Sequence, residues 1–123
     1  QLVFADPANK QARALLAWVA ADAPVPALRD LARVRLAALQ WDTQSADEAL
    51  KTLQAEFSTE LAPLAADLKG DLLLSKGQNA QAVAAYQQAL KGLADEHEYR
   101  RVVQAKLGAL GIAVASAGTE VRQ

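Results

Sequence analysis

The stretch LAADLKGDLLLSKGQNAQAVAAYQQAL, from Leu64 to Leu90, decides the fold of this chain. Its small and large residues recur at the spacings that two antiparallel helices need in order to pack closely. We expect the closest approach of the helices at Gly70 and Ala82. Leu73 and Tyr86 would fill the space between them, and Gly77 would lie at the turn. Ala89 and Leu90 then complete an apolar face. The stretch therefore predicts one helical hairpin that offers its apolar face to a neighbouring hairpin.

The composition favours helices and excludes several classes of protein. Hydrophobic residues make up 52% of the 123 residues, and 29 of them are alanine, which has the highest helix propensity. The 13 basic and 14 acidic residues are interspersed, so no nucleic-acid partner is expected. No apolar run reaches the roughly 18 residues that mark a membrane span. The chain contains no cysteine, which excludes disulfides and thiolate metal sites.

The hairpin pattern occurs twice along the chain. The two copies correspond at an offset of 34 residues in the first helix and 33 in the second. The corresponding pairs are Ala32 and Ala66, Leu36 and Gly70, Leu39 and Leu73, Ala49 and Ala82, and Leu53 and Tyr86. A period of about 34 residues is the length of a tetratricopeptide repeat. We therefore predict an all-α, tetratricopeptide-like right-handed superhelix of antiparallel helix hairpins with a C-terminal capping helix.

Capping and helix-breaking residues set the boundaries of the repeats. Ser45 and Glu48 form a capping box that starts one helix, and Asn79 is the expected cap of another. The predicted domain, 1–110, comprises a partial first repeat at 1–22, repeats at about 27–57 and 61–93, and a capping helix at about 96–110. Residues 111–123 contain two glycines and no helical stripe, so we expect a flexible C-terminal tail there.

The residues form no recognisable catalytic constellation. His97 is the single histidine, and without a cysteine or a second histidine it has no partner for a metal site or a nucleophile–base pair. The acidic pairs Asp47 with Glu48 and Glu96 with Glu98 fall in predicted first turns, where negative charge stabilises the start of a helix. We therefore expect no enzyme activity, no cofactor and no small-molecule substrate.

A row of charges follows the predicted repeat. Arg33, Asp67 and Arg101 are each separated by 34 residues, so they take equivalent positions on successive inner helices of a regular array. The row predicts either an inter-repeat salt bridge or part of a protein-binding groove. The full set of candidate groove residues is Arg33, Gln40, Trp41, Asp67, Asp71, Leu74 and Arg101.

The two tryptophans lead to different predictions. Trp18 recurs at helical spacing with Leu15, and we expect it to pack between the first helix and the next hairpin. Trp41 lies in a predicted turn, where an exposed tryptophan could anchor a partner. The first helix would also leave Leu15, Leu16 and Val19 partly uncovered, which favours self-association through the N-terminal partial repeat.

Several motifs taken together resemble one family. They are the tryptophan–valine helix end at Trp18 and Val19, LARVRLA at Leu31 to Ala37, DEAL at Asp47 to Leu50, and DLKGDLLLSKG at Asp67 to Gly77. With the closing VVQAKLGAL, they make the chain similar to the tetratricopeptide-repeat-like periplasmic domain of the ancillary SecYEG translocon subunit, the YfgM-like family. The resemblance covers nearly everything from Leu15 to Leu110.

The resemblance implies a non-enzymatic protein–protein interaction module that assists transfer of secreted proteins from SecYEG to periplasmic chaperones. The implied partners are the SecYEG translocon and the membrane-anchored periplasmic chaperone PpiD, with the envelope-stress regulator RcsB as a third. The implied location is the periplasmic side of a bacterial inner membrane. Because the chain begins at Gln1 and contains no methionine, we expect the membrane anchor to lie outside this sequence.

Other interaction functions are compatible with the same repeats. One alternative is an oligomerisation or scaffold module of another envelope complex. A cochaperone that clamps a terminal carboxylate is disfavoured, because Asp67 and Asp71 stand where such a clamp needs residues that attract a negative charge.

Overall fold

The computed structural model describes residues 7–43 and 45–112, which contain six α-helices and no strand. In chain order the helices are α1 Pro7–Asp22, α2 Pro26–Thr43, α3 Ala46–Thr52, α4 Ala62–Ser75, α5 Asn79–Lys91 and α6 Tyr99–Ala109. Each helix packs against the next one in the chain, and α2 also contacts α4. The prediction of an all-α fold is therefore confirmed, and the right-handed superhelical course stays a prediction.

The α4–α5 hairpin is built around a glycine and a tyrosine. A Cβ atom on Gly70 would lie 2.5 Å from Cδ1 and 2.8 Å from Cζ of Tyr86, so only glycine lets α4 approach the ring this closely. Tyr86 is 1% exposed, and Leu73 and Ala82 are buried beside it. The small and bulky residues of this hairpin therefore take the places that the repeat pattern predicts.

A glycine in the left-handed region ends α4 and allows the turn into α5. Gly77 has a φ of +78°, a conformation that residues with a Cβ rarely adopt. The N–H groups of Gly77 and Gln78 donate to the carbonyls of Leu74 and Leu73, at 2.9 and 3.0 Å. These two bonds form a Schellman motif, which satisfies carbonyls at the helix end. Gly111, with a φ of +85°, follows α6 in the same way.

Two clusters of buried side chains lie between the helices. The larger cluster joins α4, α5 and α6 and includes Leu73, Ala82, Tyr86, Leu90, Val103 and Leu107. The smaller cluster joins the first hairpin to α4 and includes Ala37, Ala49, Leu53, Ala65 and Leu72. Because α4 contributes to both clusters, the two repeats share one continuous line of packing.

Two helix starts differ in how well they are capped. Ser45 caps α3 as predicted, because its Oγ accepts a hydrogen bond of 3.1 Å from the N–H of Glu48. In α5 the predicted cap, Asn79, is already the first helical residue, and Gln78 before it makes no side-chain capping bond. Helix α3 ends at Thr52, which is earlier than the repeat pattern predicts.

The loop after α3 is held by a buried carboxylate. Asp30 in α2 accepts a hydrogen bond of 2.8 Å from the N–H of Ser58. This tertiary bond stabilises the loop in place of further helix, and a groove remains beside the second hairpin. We call it the α4–α5 groove; its lining includes Leu53, Phe57, Ala65, Ala66, Lys69 and Ala84.

An arginine holds the connection between α5 and α6. Nη1 of Arg100 donates to the carbonyls of Leu90 and Leu93, at 2.9 and 3.0 Å. These bonds satisfy carbonyl groups at the end of α5 and fix the turn that leads into α6. Of the predicted tail, 111–123, the part at 113–123 lies outside the described residues.

Candidate interaction surface

Five polar side chains join α6 to the α4–α5 hairpin, and we call them the polar cluster. Asp67 and Asp71, one turn apart on α4, accept hydrogen bonds from Nζ of Lys106 at 3.0 and 3.1 Å. Tyr99 Oη donates to Asp67, and Tyr86 Oη donates to Asp71 at 2.6 Å. Nζ of Lys106 also lies 5.7 Å from the centroid of the Tyr86 ring. Because Asp67 is only 3% exposed, its charge is compensated inside the fold.

Burial and the two carboxylates shift the pKa values of the groups that donate to them. Desolvation is the largest cause that raises the pKa of Tyr86 and Tyr99 well above the ordinary 10.0, and their hydrogen bonds to the aspartates act in the same direction. Burial lowers the pKa of Lys106, but the hydrogen bonds to Asp67 and Asp71 and their negative charges outweigh it, so the pKa is raised. At neutral pH the tyrosines are therefore neutral donors and Lys106 is a cation.

These shifts predict a loss of stability in alkaline solution. In the unfolded chain a tyrosine loses its proton near its ordinary pKa of 10.0, whereas Tyr86 and Tyr99 keep their protons in the folded chain. Above that pH the folded state therefore binds more protons than the unfolded state. The free energy of unfolding should then fall by about 1.4 kcal/mol per pH unit for each such group. Urea unfolding from neutral pH to about pH 11 measures the slope. Tyr99→Phe should flatten it, and a stability independent of pH in this range would contradict the prediction.

The predicted charge row does not form a continuous ladder. The guanidinium of Arg33 donates to a backbone carbonyl of α1 at 3.1 Å and lies 3.6 Å from Asp30. Asp67 pairs with Lys106 of α6 rather than with either arginine of the row. The expected inter-repeat salt bridge is therefore wrong, because α6 directs Lys106 toward α4 while Arg101 stays exposed.

The other candidate groove residues are divided between internal contacts and solvent. Gln40 accepts a hydrogen bond from the hydroxyl of Thr52, which ties α2 to α3. Trp41 and Leu74 are 39% and 37% exposed, and with the exposed Arg101 they present side chains to solvent. Trp41 lies within α2 and not in the predicted turn, because the helix continues to Thr43. It also lines a second groove, which we call the α1–α2 groove. Its lining consists of Leu16, Arg35, Ala38, Leu39, Trp41 and Asp42.

The prediction that Trp18 packs inside the array is wrong. Helix α1 packs on α2 through its other face, where Ala20 is buried and Leu16 and Val19 are half-buried. Trp18 is 60% exposed and Leu15 is 62% exposed. Residues three apart on a helix lie on the same face, so these two side chains form one apolar surface. This surface is of the kind that marks a contact with another chain.

The described ranges hold no metal centre. Within 7–43 and 45–112, no three histidine, cysteine, aspartate or glutamate side chains come together as a metal site. In the same ranges no helix has the length and apolar character needed to cross a bilayer. His97 is exposed before α6, where its Nδ1 accepts a hydrogen bond of 3.1 Å from the N–H of Tyr99. Its contact is therefore local and supports the start of that helix.

Sequence reasoning missed Tyr99 and Lys106. These residues are seven apart on α6, about two turns, so they share one face of the helix. Asp67 and Asp71 share a face of α4 in the same way. The sequence therefore contained one indication of the polar cluster: two donors on one face of α6 and two acceptors on one face of α4. The two faces can be matched only when the packing of α6 against α4 is known.

Comparison with known proteins places the chain among helical repeat domains. The sequence profile described as tetratricopeptide repeat-like domain matches residues 2–112. An ancillary SecYEG translocon subunit of Escherichia coli K12 is 37% identical over 82 residues, which is 67% of this chain and 40% of that protein. A protein of the same name from Neisseria gonorrhoeae is 28% identical over 95 residues, 77% of this chain and 46% of that protein. The chain thus spans less than half the length of these curated relatives. No solved structure gives a significant match.

Proposed function

Since the chain belongs to the tetratricopeptide repeat-like domain family, we propose that it is a non-enzymatic protein–protein interaction module of a protein that assists the SecYEG translocon. The name that the two relatives share supports the proposed association with the SecYEG translocon. The stacked helices of the described ranges, with side chains such as Trp41 and Leu74 exposed on them, support the interaction. Helical hairpins of this class provide extended surfaces for other polypeptides rather than reactive groups.

The proposed role is to help transfer secreted proteins from SecYEG to periplasmic chaperones. The domain would then lie in the periplasm, attached to the inner membrane through a part of the protein outside this sequence. Its proposed partners are the translocon itself and the membrane-anchored chaperone PpiD, with RcsB as a regulatory partner. The resemblance of the hairpin motifs, Asp67 to Gly77 above all, to the translocon subunit family supports this finer proposal.

The observation that carries the proposal is the exposure of three of the candidate residues. Trp41, Leu74 and Arg101 stay exposed, whereas Asp67 and Asp71 are held by Lys106. Tryptophan and arginine are the residues that most often contribute large binding energies at interfaces. We therefore propose that partners contact these three side chains, and that the other candidates of the set, Arg33, Gln40, Asp67 and Asp71, shape the surface from within.

Site-specific crosslinking in the intact membrane-anchored protein tests the proposal. A photoreactive amino acid at position Trp41, Leu74 or Arg101 should give crosslinks to SecYEG subunits or to PpiD in isolated membranes. The same amino acid at exposed Gln87 serves as the control and should give far less of these products. If none of the three positions crosslinks to either partner, while the protein is present and folded in the membrane, the proposal is wrong.

A second function, an oligomerisation or scaffold module of another envelope complex, is favoured by the apolar surface of α1. Leu15 and Trp18 together expose more apolar area than an isolated surface residue, and such patches mark contacts between chains. Light scattering over a concentration series should then show a dimer that Trp18→Ser abolishes. Val102→Ser, at an exposed apolar residue of α6, is the matched control and should leave the dimer intact. A chain that stays monomeric at all concentrations would exclude this alternative.

A further inference from the structure

The α4–α5 groove has the lining of a binding site for apolar side chains. Its cavity volume is about 640 Å³. Alanines such as Ala65, Ala66 and Ala84 leave room along it, while Leu53 and Phe57 form its bulky wall. The groove lies beside the loop that replaces the predicted end of α3, so no helix of the described chain fills it. Small residues beside large ones create pockets into which a foreign side chain can insert.

The α1–α2 groove repeats this arrangement one repeat earlier. Its cavity volume is about 570 Å³. Arg35 and Leu39 line it, and Lys69 and Leu73, each 34 residues further along the chain, line the α4–α5 groove. The offset is that of the sequence repeat, so these two residue pairs hold equivalent positions of successive repeats. Equivalent positions in a repeat array lie on the same side, so one elongated partner could contact both.

Each groove carries an exposed basic side chain. Arg35 and Lys69 are exposed, and within 7–43 and 45–112 neither forms a hydrogen bond or an ion pair with another side chain. Asp42 also lines the α1–α2 groove but makes no ion pair with Arg35. Among the described residues, none that lines the α4–α5 groove is acidic. The charge that complements this groove is therefore negative.

The polar edge of the α4–α5 groove favours a ligand in an extended conformation over a helical one. Gln81 and Gln88 of α5 both line it, seven residues apart, which is about 10 Å along a helix. About three residues of extended chain span the same distance. Each glutamine amide can both donate and accept a hydrogen bond, as the backbone of an extended segment requires. A helix already satisfies its own backbone groups and gains nothing from these amides.

We propose that the α4–α5 and α1–α2 grooves bind an extended polypeptide segment with alternating apolar side chains and acidic residues among them. The apolar side chains would enter beside the alanines, the glutamine amides would bond the backbone, and Lys69 and Arg35 would pair with the acidic residues. This inference rests on the proposed function, because such a segment is what an unfolded secreted chain presents. It differs from a groove around Leu74 and Arg101, since neither residue lines these two grooves.

Fluorescence anisotropy with a labelled peptide tests the proposal on the full chain. The probe is a peptide of about ten residues, roughly 33 Å when extended, in which leucine or valine alternates with serine and two aspartates. We expect saturable binding that Ala84→Trp abolishes, because the indole would fill the α4–α5 groove. Ala105→Trp, at an exposed alanine of α6 outside both grooves, is the control and should bind like the parent. Thermal unfolding of both variants verifies that they are folded.

Charge and conformation are tested separately. Lys69→Glu should weaken binding about tenfold at low salt and less at high salt, whereas Lys10→Glu, at an exposed lysine of α1, should not. Replacing the two aspartates of the probe by lysine should also weaken binding. A version of the probe locked as a helix should bind more weakly than the extended one.

Three results would overturn the inference: no saturable binding by the parent, binding unchanged by Ala84→Trp, or tighter binding of the helical probe. If peptide binding fails while the crosslinks to SecYEG persist, the grooves are not the site and the proposed function stands. If the peptide binds but no crosslink forms, the proposed function fails and the grooves stand as a site for other polypeptides.

Discussion

Tyr86→Ala is expected to lower the free energy of unfolding by about 3–5 kcal/mol. The ring is buried between α4 and α5, directly against Gly70, and belongs to the cluster that joins both helices to α6. Its removal leaves a cavity that the helices cannot close, because the neighbouring small residue Ala82 offers no side chain to fill it. Urea unfolding monitored by circular dichroism measures the effect.

Tyr86→Phe separates the ring from its hydroxyl. Phenylalanine keeps the packing against Gly70 but loses the hydrogen bond to Asp71, which still has Lys106 as a partner. We therefore expect a loss of only about 0.5–1.5 kcal/mol. If the alanine variant were no less stable than the phenylalanine variant, the ring would not hold the hairpin together, and the repeat register built on Gly70 and Tyr86 would be wrong.

Lys106→Met is expected to lower the free energy of unfolding by about 2–4 kcal/mol, somewhat less than for a fully buried pair because Lys106 is partly exposed. Methionine keeps the apolar stem, so the change removes mainly the positive charge. The buried carboxylate of Asp67 then keeps the hydroxyl of Tyr99 as a side-chain donor but has lost its cation. The main cause of the expected loss is that this buried charge is left without its cation, and urea unfolding at neutral pH measures the loss.

The double variant Asp67→Asn with Lys106→Met is the matched control. It removes both charges of the most buried pair, and an asparagine amide can be accommodated with less cost than an unpaired carboxylate. The double variant should therefore be more stable than the sum of the two single losses predicts, by about 1 kcal/mol or more. Losses that simply add would show that the pair is not coupled and would contradict the assigned role of Lys106.

Features that depend on short sequence distances or on the repeat spacing were predicted from the sequence. Gly70 and Tyr86 stand where the repeat spacing places them, and Ser45 caps α3 as its distance from Glu48 indicates. The end of α3 was not predicted, because it depends on the hydrogen bond between Ser58 and Asp30. That bond joins residues 28 apart in sequence, and helix propensity contains no information about it.

The candidate surface was predicted less completely than the fold. The salt bridge expected along the charge row was wrong, because Asp67 pairs with Lys106 and not with an arginine of the row. Trp18 was expected inside and is exposed, because a helix with apolar residues around much of its circumference does not indicate by sequence alone which face packs. Both errors concern the rotation of a helix against its neighbours rather than the existence of the helix.

The sequence by itself determined that this chain forms helices, where most of them begin, and which residues close the α4–α5 hairpin. These properties arise from residues one to four positions apart or at a fixed repeat offset, whose relative placement the helix geometry dictates. The tertiary structure alone decided the partners of Asp67, Asp71 and Asp30 and the opening of the two grooves. Hydrogen bonds such as those from Tyr99 and Lys106 to Asp67 join residues 32 and 39 apart, and they form only after α6 has packed on the hairpin.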